Sequence, residues 1–133
     1  MQLTVSAFYI GATGLLALYL GYLVVAMRRK AKIGVGDGGN KDLQLRIRAH
    51  ANLLEYAPIV LLLFIGAESM QLSPWILHLF GVAWIVARIA HPWGLIVGRG
   101  AVHSGRFWGT LITWILLAAL ALITMLLAII RWV

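Results

Sequence analysis

The chain has 133 residues, of which 62% are hydrophobic and 11% charged, with a formal net charge of +7 and a mean hydropathy of +0.95. That apolar share exceeds what a soluble globular domain carries and points to a single integral membrane domain over residues 1–133. The absence of cysteine excludes disulfides, thiolate metal sites and a protein thiol nucleophile, and no soluble basic domain is present to bind nucleic acid.

Four apolar segments follow in chain order: Leu3–Met27, Leu45–Ala67, Pro74–Val97 and Phe107–Ile130. Each is about 20–25 residues long, enough for a helix to cross roughly 30 Å of hydrocarbon. Helices are expected because backbone groups in lipid must be satisfied within their own segment. The fold expected is therefore an all-α, four-transmembrane-helix bundle. The "MQ" before the first span has no positive side chain, and that span is too long for the core of a cleavable signal.

The connections set the orientation. Loop one, "RRKAKIGVGDGGNKDLQ", is basic and then glycine-rich. With its flanks it holds Arg28, Arg29, Lys30, Lys32, Lys41, Arg46 and Arg48, while loop three and its flank hold Arg99 and Arg106. Loop two, "ESMQLS", has no basic residue. Loops one and three should face the cytoplasm and both termini should face out. Trp75, Trp93, Trp108 and Trp132 lie near span ends, where an aromatic belt sits.

The second span opens with "RIRAHANLLEY". At about 100° per residue on a helix, Arg48, Asn52, Glu55 and Tyr56 form one polar stripe, and Arg46 and His50 fall on the opposite side. Such a stripe does not face lipid comfortably: a central charge costs about 2.5–3.5 kcal/mol even on the lenient insertion scale. Two polar sides on one helix leave too little room inside four helices, which predicts a homo-oligomer. An internal Arg48–Glu55 bridge serving helix packing is the simpler alternative.

The third span adds Arg88 and His91 in "ARIAHPWG". Arg88 lies deep enough to demand a partner, and Glu55 is the acid expected to supply it. Pro92 should kink this span or end its regular stretch. Arg106 opens the fourth span, where a snorkelling anchor is the simpler role. The histidines His50, His78, His91 and His103 show no metal-ligand spacing, so no metal is expected.

Several cations, one carboxylate, and amide and phenol groups at a membrane mouth suit a small anionic ligand with one ammonium that meets an apolar partner from the bilayer. Glutathione fits, because arginines grip carboxylates bidentately, Glu55 takes the ammonium, and a nearby guanidinium stabilises the thiolate. Lowering a thiol pKa from about 8.5 to about 6.5 requires roughly 2.7 kcal/mol of preferential thiolate stabilisation.

Four spans, a basic first loop, "GDGG" and "LQLRIRAHANLLEYAP" together resemble the MAPEG family, the membrane-associated proteins of eicosanoid and glutathione metabolism, and its bacterial branch in particular. "RIAH" in the third span is similar to the microsomal glutathione transferase and prostaglandin E synthase branch. The resemblance covers nearly the whole chain and implies a homotrimer with glutathione, as co-substrate, at cytoplasmic subunit interfaces. It assigns glutathione binding to Arg48, Asn52, Glu55 and Tyr56, with His50, Arg88, His91 and one arginine at the end of span one, Arg29 or its neighbour Arg28, contributing. Arg106 resembles the arginine that activates the thiol in leukotriene C4 synthase-like members. The implied activity is a bacterial inner-membrane glutathione transferase acting on hydrophobic electrophiles, with glutathione-dependent peroxidase activity toward lipid hydroperoxides as a further expectation. One departure stands out: Leu95 occupies the place of a tyrosine that family members carry one turn after the His91 position. A non-catalytic scaffold that binds glutathione or lipid is the alternative; a small transporter or channel has no filter or broken-helix motif to support it.

Overall fold

The computed structural model describes residues 3–132. Among them are four α-helices and no strand: α1 Thr4–Ala31, α2 Lys41–Ser69, α3 Pro74–Val97 and α4 Ser104–Trp132. All four are long and apolar enough to cross a membrane. The helices run alternately up and down. Loops one and three meet at one end, where the Arg99 guanidinium lies 3.2 Å from the Asp42 carboxylate. Loop two and both chain ends share the other, where Arg131 donates to the Met70 carbonyl at 3.0 Å.

Local chemistry explains the boundaries. Asn40 caps α2 by accepting from the Leu43 N–H at 3.0 Å, and Asp42 lies in the first turn, where the helix dipole favours a negative charge. This cap starts α2 at Lys41, four residues before the apolar run. α1 likewise continues past Met27 to Ala31, its last turn holding Arg28, Arg29 and Lys30 at the end where cations are favoured. It stops at Lys32, whose left-handed backbone (φ 56) lets the N–H groups of Lys32 and Ile33 close on the carbonyls of Arg29 and Arg28. α4 begins at Ser104 rather than Phe107. Pro92 does not end α3, which runs on to Val97; proline removes one helical N–H, and the helix on either side persists.

α2 and α3 form the centre. α1 packs on both from one side and α4 on both from the other, and α1 and α4 do not touch. Leu53, Val60, Phe64, Leu77, Trp84, Leu116 and Leu120 are buried in the shared core. Because lipid tails are as apolar as these side chains, close van der Waals contact and hydrogen bonds must hold the helices together. At Gly109 a Cβ would come within 2.8 Å of the Ala87 carbonyl oxygen, so glycine there allows α4 to lie directly on α3.

At the end opposite loops one and three, Glu68 of α2 accepts from the backbone N–H groups of Val5 (3.0 Å) and Ser6 (2.7 Å). α1 has no side-chain cap of its own, so a carboxylate from another helix supplies one.

Candidate functional site

The polar face of α2 sits in the half of the bundle nearest loops one and three. Helical spacing puts Arg48 and Glu55 two turns apart on one edge, where they form an ion pair of 3.3 Å. Both remain open in the protomer, their side chains 58% and 50% exposed. Asn52 and Tyr56, on the same stripe, turn toward α3 and α4. Sharing a stripe has thus sorted these four residues into an outer pair and an inner pair.

Arg88 organises the inner pair. It is 2% exposed and reaches both neighbouring helices from α3. One guanidinium nitrogen donates to Asn52 Oδ1 at 3.0 Å. The other donates to the Gly109 carbonyl at 2.9 Å and to the Thr113 hydroxyl. The guanidinium also lies 5.4 Å from the Tyr56 ring centre and 5.3 Å from that of Trp84, a favourable seat for a poorly hydrated cation. Its acceptors are therefore neutral. The expectation that Glu55 would neutralise Arg88 is corrected: Glu55 pairs with Arg48, and α4 supplies the oxygens that charge matching would have sought from an acid. The Nε of Arg88 and the Nδ1 of His91, one turn on, are buried without a partner among the described residues.

Tyr56 has its own partner, an exposed one. The indole N–H of Trp114, on α4, donates to Tyr56 Oη at 2.9 Å. Sequence reasoning did not single out Gly109, Thr113 or Trp114; the run of small and hydroxyl-bearing residues Gly109, Thr110 and Thr113 in an apolar span was the available signal, since such residues collect at helix contacts in membranes.

The remaining site residues lie elsewhere in the protomer. His50 faces α1, where its Nε2 would lie 3.6 Å from a Cβ at Gly21. His91 is buried against α4 at Gly109. Arg29 is exposed at the end of α1, whereas Arg28 is turned into its own loop, donating to the Gly36 carbonyl at 2.8 Å. Arg106, in the first turn of α4, donates to the Gly100 carbonyl at 2.8 Å. It also borders an open apolar groove of about 410 Å³ lined with Val102, Phe107, Thr110 and Trp114. Because α1 and α4 are not in contact, Arg29 and Arg106 flank the α2–α3 pair from opposite sides. One protomer pairs Arg48 with Glu55 and gathers Asn52 and Tyr56 around Arg88, places Arg29 and His50 on the α1 side, and relates Arg106 to Tyr56 through Trp114, which lines the same groove. Leu95, at the position of the family tyrosine, is buried with Leu45 and Ala49 and presents nothing to a ligand.

Two curated relatives match the chain. The Inner membrane protein YecN of Escherichia coli strain K12 and that of strain CFT073 are each 34% identical over 90 residues, which cover 68% of this chain and 69% of the relative. No solved structure matches. The model of the MAPEG family matches residues 6–126, nearly the whole bundle including every residue of the polar face. This four-span membrane chain belongs to the MAPEG family.

Proposed function

We propose that the protein is a glutathione transferase of the bacterial inner membrane, assembled as a homotrimer, that conjugates glutathione to hydrophobic electrophiles. The observation that carries this reading is the open Arg48–Glu55 pair on α2 (3.3 Å, both side chains about half exposed). A charged pair on the flank of a membrane helix needs a polar neighbour, and a second protomer with a ligand between would supply one. The same assembly would let Arg29 of one subunit and Arg106 of another approach a shared ligand, which a single protomer prevents. Loops one and three, which with their flanks hold most of the basic residues, would face the cytoplasm, where the ligand would enter.

In this reading Arg48 takes a glutathione carboxylate and Glu55 the ammonium. Arg106 stabilises the thiolate, whose sulfur attacks the electrophilic carbon as the leaving group departs with its bonding electrons. The Arg106 groove, with its apolar walls open to lipid, receives the hydrophobic partner, and catalysis comes from thiolate stabilisation and positioning. Peroxidase activity toward lipid hydroperoxides would use the same thiolate, its sulfur taking the terminal peroxide oxygen as the alcohol leaves, and a second glutathione would then form the disulfide with release of water.

Calorimetry of glutathione binding to the purified protein tests this first. Wild type should bind, while Arg48→Ala and Glu55→Gln should each weaken binding at least tenfold and remain oligomeric. No binding by wild type at millimolar glutathione would end the transferase reading. Arg106→Ala should reduce turnover by about a hundredfold or more, the scale of losing one transition-state electrostatic contact, with the oligomer intact.

Burial of Leu95 among Leu45 and Ala49 favours a second reading, a non-catalytic scaffold that binds glutathione or lipid. Confirmed glutathione binding with no turnover across a panel of electrophiles would select it.

A further inference from the structure

We infer that two residues beside the α2 face, the buried Arg88 and Trp114 on the wall of the α4 groove, set the hydrogen-bonding polarity of that face, making it a surface of donors around one carboxylate and so selecting ligands rich in acceptors. The inference deepens the function proposed above and rests on that reading for the identity of the ligand. Asn52 and Tyr56 are ambivalent groups: an amide presents both a donor and an acceptor, and so does a phenol. Each could face an anion or a cation, depending on which end is already engaged.

Here the engaged end is the acceptor in both cases. Arginine has only donors, so the 3.0 Å contact between Arg88 and Asn52 requires the amide oxygen to point inward. The Asn52 NH₂ then points away from Arg88 and donates to nothing among the described residues. The Trp114 indole nitrogen is also a donor only. Its 2.9 Å contact occupies a lone pair of Tyr56 Oη and leaves the phenol proton to donate. Arg48, a donor, lies a turn beyond. Glu55 is the charged acceptor on this face, and Arg48 already shares it. The face therefore offers guanidinium, amide N–H and phenol O–H to a ligand with at least one carboxylate or equivalent anion, and a single place for a cationic or N–H group.

Toward the polar ligand Arg88 and Trp114 act through their neighbours and are positioning residues; Trp114 also lines the groove assigned to the hydrophobic partner. Exchanging the amide for a carboxylate is the sharpest probe of the polarity. In Asn52→Asp one oxygen keeps the Arg88 contact, and the other presents a negative acceptor where the NH₂ stood. If the NH₂ faces the ligand, Asn52→Asp should weaken glutathione binding more than Asn52→Ala does, by about a further tenfold, because repulsion adds to the lost bond. Equal or tighter binding by Asn52→Asp would mean that the amide oxygen faces outward and would overturn the inference. Trp114→Phe keeps a ring and removes the N–H. It should cost about fivefold in affinity in the wild type and close to nothing in a Tyr56→Phe background. Additive losses would show that Trp114 acts by packing rather than through the Tyr56 hydroxyl.

The experiment is calorimetric titration of the full-length oligomer in detergent with three probes: glutathione, glutarate as a bare dicarboxylate, and putrescine as a bare diammonium. Glutarate should bind wild type and be weakened by Asn52→Asp, with putrescine giving no heat. Glutarate binding in this pattern without glutathione binding would sink the transferase reading and leave the polarity standing. Preference for putrescine, or failure of glutathione and glutarate alike, would overturn the polarity itself.

Discussion

The two ends of this bundle solve the problem of polar groups in lipid differently. At the end that holds loop two, most polar groups are spent on one another, the buried Ser6 hydroxyl being the exception among the described residues. Glu68 accepts from Val5 and Ser6, the Tyr9 hydroxyl meets His78 at 3.2 Å, and the Trp84 indole donates to Thr13 at 2.9 Å. Each bond joins two helices, tying α1 to α2 or α3. At the other end, Arg88 also ties three helices together, yet Asn52, which it engages, keeps its NH₂ in reserve and the Arg48–Glu55 pair stays open. A polar network that closes on itself is sufficiently explained by packing. One that closes inward and stays open outward has a surface still to satisfy.

Three substitutions test that contrast. The largest effect should come from Gly81→Ala in the closed network. A Cβ there would stand 2.1 Å from the Tyr9 ring, forcing that buried ring off His78. We expect a loss of about 2–3 kcal/mol in stability, the upper range for overpacking, read from thermal unfolding in detergent. Glutathione affinity of the folded protein should not change; a large change would mean that the two ends are coupled.

Arg88→Met should do the reverse. Its acceptors have other recourse: the Thr113 hydroxyl already donates to the Gly109 carbonyl at 2.8 Å, and Asn52 is free to turn. Replacing buried ionic groups by apolar residues is often neutral for stability when no charge is left buried and unpaired, and the acceptors of Arg88 are all neutral. Stability should stay within about 1 kcal/mol of wild type while affinity for glutathione falls at least tenfold. A collapse of stability with affinity preserved would make Arg88 a packing residue and erase the contrast. The smallest effect belongs to Glu68→Gln, which keeps an acceptor for the α1 N-terminus but removes its charge. A loss of about 0.5–1 kcal/mol is expected, and no loss would show that the amide oxygen caps α1 as well as the carboxylate does.

Much of the candidate site was readable in one dimension. The stripe of Arg48, Asn52, Glu55 and Tyr56 follows from helical period alone, and its placement in an apolar span marked it as needing a partner. The pairing of Arg88 was not readable. Matching charges along the sequence led to Glu55, because a sequence displays side-chain charges and hides backbone carbonyls. Besides Asn52, the oxygens that hold Arg88 belong to Gly109 and Thr113, more than 20 residues away, and only the packing of α4 on α3 brings those two near. Trp114 was missed for the same reason: a tryptophan in an apolar span reads as lipid contact until another helix places a phenol oxygen beside its N–H.

The sequence by itself determined four membrane helices, their alternating course and the end that gathers basic charge. These depend on length, hydropathy and local capping, which act within a single segment. The tertiary structure decided which polar groups face inward, which face out and which end of each amide or phenol is spent. Those choices depend on distances between helices, and no periodicity within one helix encodes what its neighbour will present.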